Sequence, residues 1–265
     1  MARTMAANPL VARGARFLEV VAGMGALALE GLRRTWDVRH WWGEFLDQAW
    51  FLTKVTSLPI LLVSIPLGAT ISLQVGSLVA QLGAQSFTGT AVVVGLVREA
   101  APIAAALLIS GAGGSAMAAD MGARRVRDEL SAMEVMAVNP IHRLVTPRLW
   151  AASTVGVLLV SLVVLSGVAG GFFFNVIIQG VTPGAYFNGA TSLLHPSDLF
   201  VSVFKAWVFG FIAATVACYC GMNCDLGPVG VGRAVNKAVV QTFIVVFIVN
   251  YVITTLYFVV VPPKI

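Results

Sequence analysis

Apolar residues fall into five long blocks separated by short polar or glycine-rich breaks. Each block is long enough to cross a bilayer as a helix, which takes ~20 residues. The pattern predicts spans over Phe51–Gln74 (extendable to Gln81), Thr90–Met117, from just after Arg148 to Gln179, Asp198–Met222 and Lys237–Val261. Pro59 and Pro66 inside the first block predict a kinked helix against the interior of the subunit. Gln74 and Gln81, seven apart, share a face suited to a partner or a polar cavity. The third block exceeds one bilayer thickness and should tilt or project.

The breaks have patterns of their own. Residues 1–13 read as a tail. From Gly14 to Arg34, Phe17, Val20, Val21, Met24, Leu27, Ala28 and Leu32 recur at helical spacing, between arginines and with Glu19 and Glu30 near the two ends. That predicts a helix lying along the cytoplasmic interface rather than crossing it. Trp36, Trp41, Trp42 and Trp50 among charges belong to the headgroup zone. Residues 1–50 are therefore an N-terminal interfacial region, and 51–265 the transmembrane domain. Ala84–Gly89 reads as a turn, Val181–Ser197 as an extracytoplasmic loop with a short helix, and Asn223–Asn236 as a glycine-rich loop. Arg124–Val138 reads as one amphipathic helix stopped by Asn139-Pro140. The fold class is all-α: a polytopic membrane protein with five transmembrane helices.

Composition agrees with this. The 265 residues are 58% hydrophobic and 11% charged, with a mean hydropathy of +0.89; a soluble domain carries about 25% charged residues. The net charge of +5 does not point to nucleic acid, because the basic residues flank spans instead of forming a patch with aromatics. With the N-terminus in the cytoplasm, only Lys264 falls in an outside segment. Arg98 and Lys205 lie within spans, and every other Lys and Arg falls inside, counting Lys54 near the inner end of the first span. That asymmetry follows the positive-inside rule and places the C-terminus outside. The N-terminal stretch lacks the apolar core and cleavage site of a signal peptide. Cys218, Cys220 and Cys224 have no histidine nearby and read as small buried side chains, not as a metal site or a disulfide framework.

Three constellations carry candidate chemistry. Arg98 and Glu99 sit inside a span, where a charge costs at least about 2.5–3.5 kcal/mol. They are either a polar element in a substrate path or at a subunit interface, or a structural ion pair near the outer surface. Glu99 can meet a cation on another helix; Lys205 is expected to snorkel outward or, alternatively, to supply that cation. Gly111, Gly113, Gly114 and Ser115 are small enough for close helix packing. In Arg124–Pro140, the i,i+4 pairs Arg124–Asp128 and Arg125–Glu129 support a helix. Val126, Leu130, Met133, Met136 and Ala137 form its apolar stripe. Such a helix suits docking on a soluble motor, with Met133 and Met136 as adaptable contacts and Glu129 and Glu134 meeting basic groups. There is no P-loop, and His40, His142 and His195 form no catalytic motif, so any ATP hydrolysis belongs to another chain.

Arg98–Pro140 resembles the signature region of MlaE-type (YrbE) permeases, the membrane subunits of Mce-associated lipid ABC transporters. The resemblance rests on R-E-x-x-P (Arg98, Glu99, Pro102), the glycine cluster Gly111–Ser115 and, most specifically, the E-L-x-A-M-E-V-M run that continues to Pro140 (Glu129–Pro140). It implies that Glu129, Leu130, Met133, Glu134, Met136 and Pro140 couple to a cytoplasmic ATPase dimer that binds ATP and Mg2+, this chain holding no cofactor. It also implies a second YrbE-type permease, Mce lipid-binding proteins outside, and a fatty acid, sterol or phospholipid as cargo in the cytoplasmic (inner) membrane. Ala112 stands where many members have Arg. The G-A-G-G-S form is similar to the A-type partner of actinobacterial Mce systems, which implies a heterodimer. Asn139 replaces a frequent Asp. The alternative from another class is an ion- or proton-coupled carrier using Arg98, Glu99 and Lys205; the spans show no inverted repeat of the kind such carriers often have.

Overall fold

The computed structural model describes residues 9–36, 38–83, 88–192 and 194–260, and these are helical nearly throughout, with no strand among them. The extreme N-terminus, most of the turn at 84–89 and the end of the chain with Lys264 lie outside the described residues.

Helix α1 (Pro9–Arg33) begins inside the stretch read as a tail; proline is well tolerated at a first helical turn. Leu27 is buried and Met24 packs on the main core, whereas Val21 and Leu32 face outward. Its glycines allow close approach: a Cβ on Gly23 would meet the Tyr219 ring and one on Gly31 the Leu149 side chain. Five other helical stretches are long and apolar enough to cross a membrane, and α1 is not one of them.

Helix α2 (Val38–Gln81) has 44 residues and passes through Pro59 and Pro66. At 1.5 Å per residue it is roughly 66 Å long, about twice the hydrocarbon thickness. Trp41, Trp42 and Trp50 therefore stand in the first third of this helix, continuous with the first span, while Trp36 ends the short turn Arg34–Trp36 before it. No structural break falls at residue 50. Trp41 is buried, and Trp42 and Trp50 are exposed.

The second span is composite. It consists of α3 (Thr88–Gly95), a π-helical turn at Leu96–Ala100, α4 (Ala101–Leu108), a π turn at Ile109–Gly114, and α5 (Ser115–Val126). Helix α6 (Glu129–Val135) follows, then a π turn at Ile141–Val145 that leads into α7 (Thr146–Phe173) and its π-helical end at Phe174–Ile178. The third span thus starts earlier than Arg148. The loop after it holds α8 (Pro183–Ser192). Helices α9 (Pro196–Met222) and α10 (Pro228–Val260) complete the bundle. The glycine-rich break is accordingly shorter than Asn223–Asn236, because α10 already begins at Pro228.

The bundle is held by small-residue crossings. Helix α7 packs against α2 on one side and α9 on the other. A Cβ on Gly68 would land on the Gly167 carbonyl, one on Gly170 on the Ile65 carbonyl, and one on Gly210 on the Ala152 carbonyl. Hydroxyls reinforce these contacts: Ser64 Oγ lies 2.5 Å from Ser166 Oγ, and Ser72 donates to the Gly171 carbonyl at 3.1 Å. The alternating helices define two ends. One carries α1, α6 and the start of α7; the other carries α8, the start of α9 and the end of α10. They are called here the α6 end and the α8 end.

Candidate functional site

Toward the α8 end, Pro102 shapes a polar cluster. In a regular helix the Arg98 carbonyl would accept from the amide of residue 102, but proline has none. The chain widens into a π turn there, with the Ala101 amide bonded to the Leu96 carbonyl. Lys205 of α9 donates to the freed Arg98 carbonyl at 2.9 Å. The same ammonium donates to Glu99 Oε1 at 2.9 Å and Thr254 Oγ1 at 2.7 Å, so all its protons are used. Asn250 and Thr254 of α10 donate to the Glu99 carboxylate, each at 2.9 Å. Lys205 is therefore buried and is the cation that Glu99 meets; the outward snorkelling expected of it does not occur, because a complete set of acceptors lies within the bundle.

Arg98 points the other way. Its Nε and Nη2 donate to the two oxygens of Asp198, at 2.8 and 3.0 Å, in a fork-to-fork pair. Asp198 lies in the first turn of α9, behind Pro196, and accepts from the His195 amide at 3.0 Å. Tyr257 of α10 donates to it at 2.5 Å. The cluster joins the second span to α9 and α10 around a cavity of only about 10 Å3. Asp198, Asn250, Thr254 and Tyr257 escaped sequence reading. Asp198 carried the one available signal, an acid at the start of a span on the same side as Arg98.

At the opposite end, the predicted helix Arg124–Val138 is two helices. It breaks at Arg127–Asp128, where Asp128 adopts a left-handed backbone (φ 56°). The predicted Arg124–Asp128 and Arg125–Glu129 pairs are replaced. Arg124 contacts Asp120 at 3.2 Å and Glu129 at 3.5 Å, and Arg127 contacts Glu129 at 2.7 Å. The break lets α6 leave the axis of α5. Leu130 is buried and Met133 half-buried against the bundle, while Val135 is 89% and Met136 66% exposed. Glu134 is exposed beside them. Ala137, at φ 60°, ends α6 with the Val138 amide bonded to the Met133 carbonyl at 2.9 Å, the geometry in which glycine is usual. Asn139 Oδ1 then accepts from the Ile141 amide at 2.9 Å, and Pro140 is buried at the start of the next turn. Asn139-Pro140 thus starts the third span more than it stops α6.

The glycine cluster forms the second π turn. Gly113 lies under Leu52 and Gly114 near Ala217, while Gly111 faces open space. Ser115 donates to the Ala112 carbonyl at 3.0 Å. Cys218, Cys220 and Cys224 are free and buried.

Residues 45–256 match the family model for the MlaE permease. The chain belongs to the MlaE permease family. It is 36% identical, over 72% of its length and 74% of the relative's, to a probable ABC transporter permease protein of Rickettsia felis. It is 30% identical to the intermembrane phospholipid transport system permease protein MlaE of Haemophilus influenzae, over 84% and 85% of the two chains. It is 27% identical to the chloroplast protein Trigalactosyldiacylglycerol 1 of Arabidopsis thaliana, over 75% of this chain and 57% of that one. The match takes in α6 and the polar cluster around Arg98, Glu99, Asp198 and Lys205, apart from Tyr257. The chain is thus a multi-pass permease of ABC-transporter type.

Proposed function

We propose that this permease forms half of a lipid pathway through the cytoplasmic membrane and is driven by a separate ATPase that docks on α6. The observation that carries the reading is the α5–α6 break. It turns Leu130 and Met133 inward and leaves Val135, Met136 and Glu134 displayed between two spans. Exposed apolar residues at the tip of a short helix are costly in water and suit a protein contact. Beside them a groove of about 450 Å3, lined by Glu30, Glu134, Ala137, Val138, Pro140 and Met222, can take a basic or apolar side chain of the partner. ATP and Mg2+ belong to that partner, as the chain has no P-loop.

The α6 end is cytoplasmic in this reading. A phospholipid cargo is supported by the name of the Haemophilus relative and by spans that offer apolar walls, with Arg98, Glu99, Asp198 and Lys205 paired among themselves. The pairing of Arg98, Glu99 and Lys205, around almost no free volume, favours a holding role over an ion path. The Ala112 form of the glycine cluster supports pairing with a second, different permease, and Mce proteins are the partners expected outside.

The test is co-purification with the co-expressed ATPase together with uptake of a labelled phospholipid. Glu134→Lys and Met136→Asp should each abolish uptake and reduce ATPase recovery about tenfold, the effect of losing ~1.4 kcal/mol at an interface. Unchanged recovery and uptake in both variants would refute the docking role.

A further inference from the structure

A run of alternating charges crosses four helices at the α6 end. Arg127 and Arg124 both contact Glu129, the first residue of α6. Arg124 reaches back one turn to Asp120 on α5, at 3.2 Å from Oδ2. Arg148 of α7 donates to the same oxygen at 2.6 Å, and its guanidinium lies 3.8 Å from Glu44 of α2. Arg148 is fully buried; its Nη1 donates to the Leu144 carbonyl at 2.7 Å, and its Nε has no partner.

The links differ in strength. A guanidinium stays charged, and burying it without its anion costs far more than the pair contributes. Asp120 is thereby tied to α7, and α5 and α7 hold together at this level. Arg124 and Glu129 are half-exposed, so their contacts are individually weak. They nevertheless bridge the two-residue break, across which the backbone bonds run only to and from its own residues: the Asp128 amide to the Arg125 carbonyl at 3.2 Å, and the Ala132 amide to the Asp128 carbonyl at 3.0 Å. Leu130 and Met133 press α6 against the bundle, but apolar contact is non-directional and does not fix its orientation. A cavity of about 250 Å3 beside Gln48, Phe51, Asp120, Arg124 and Arg148 gives the Arg124 side chain room to leave this arrangement.

We propose that Asp120 and Arg124 are positioning residues that make α6 move as one body with α7 and the start of α2, so that force applied at α6 reaches the spans. The inference rests on α6 being the ATPase contact. Its test uses the permease in complex with its co-expressed ATPase, in lipid nanodiscs, with spin labels on Ala132→Cys and Gly43→Cys. Both positions are exposed, and the three native cysteines are buried. Pulsed electron resonance should give one narrow distance distribution, the same with and without ATP and vanadate. Arg124→Gln cuts the run without unburying a charge. It should leave the melting temperature and ATPase recovery unchanged, split or broaden the distribution, and lower permease-dependent stimulation of ATP hydrolysis about fivefold or more. Arg124→Lys should restore the narrow distribution. An Arg124→Gln distribution identical to wild type overturns the proposal, as does a wild-type distance that already shifts with nucleotide. Failure of the docking reading is separate: it shows as a complex that Glu134→Lys and Met136→Asp both leave intact and active in uptake.

Discussion

Pro102 shows how one side chain can organise a membrane interior by what it lacks. Without its amide, the Arg98 carbonyl needs another donor, and Lys205 fills that need while neutralising Glu99. Arg98 is left free to pair with Asp198, whose side chain is fully buried. The consequence is an asymmetry among substitutions. Arg98→Ala strands a buried carboxylate and should cost about 3–5 kcal/mol. Tyr257→Phe removes a single hydrogen bond to that carboxylate and should cost about 1.5–3 kcal/mol. Arg98→Lys should recover little of the loss, because an ammonium cannot reproduce the two-pronged contact. Unfolding midpoints in detergent would rank the three, and a Tyr257→Phe loss equal to that of Arg98→Ala would contradict the account.

Among helices, the close approaches decide. Gly210 of α9 sits against the Ala152 carbonyl, and Gly68 of α2 against that of Gly167, while Gly111 has nothing within 4 Å of where a Cβ would be. Gly210→Ala and Gly68→Ala should each cost about 1–3 kcal/mol by overpacking, and Gly111→Ala should leave stability within the range of an ordinary surface change. Melting in detergent and the yield of monodisperse protein measure this; an equal loss at Gly111 would mean that the crossings are not where the bundle is set. The glycine cluster was legible as a cluster, but its density did not reveal which glycines lie at crossings. That depends on pairs such as Gly68 and Gly167, almost a hundred residues apart. The break at Arg127–Asp128 was likewise hidden, because good i,i+4 charge spacing and an unbroken apolar stripe favour one helix locally. Two features override them: Asp120, one turn back on the same helix and held there by Arg148 of α7, takes Arg124, and the bundle buries Leu130. The five spans and the Arg98–Glu99 cluster were legible because lipid imposes length, and because charge in lipid is rare enough to notice.

For the molecule as a whole, the ends of the bundle differ in charge more than in shape. The α6 end carries Arg33, Arg34, Arg124, Arg125, Arg127, Arg143, Arg148, Arg233 and Lys237. At the α8 end, the connections at 82–87 and 179–195 contain no Lys or Arg. Basic residues next to spans are retained on the cytoplasmic side, so the α6 end should be cytoplasmic and the α8 end outside. Among the described residues, Arg98 and Lys205 toward this end do not blur the asymmetry, since each is paired with a carboxylate. Cysteine accessibility can decide the orientation, as the native thiols are buried. A cysteine at Gly184 on α8, where a side chain would meet open space, should react in intact cells with a membrane-impermeant maleimide. One at Ala132 on α6 should react only after the membrane is opened. The reverse pattern would place α6 outside, away from any ATP, and remove the physical basis for driving this permease through that helix.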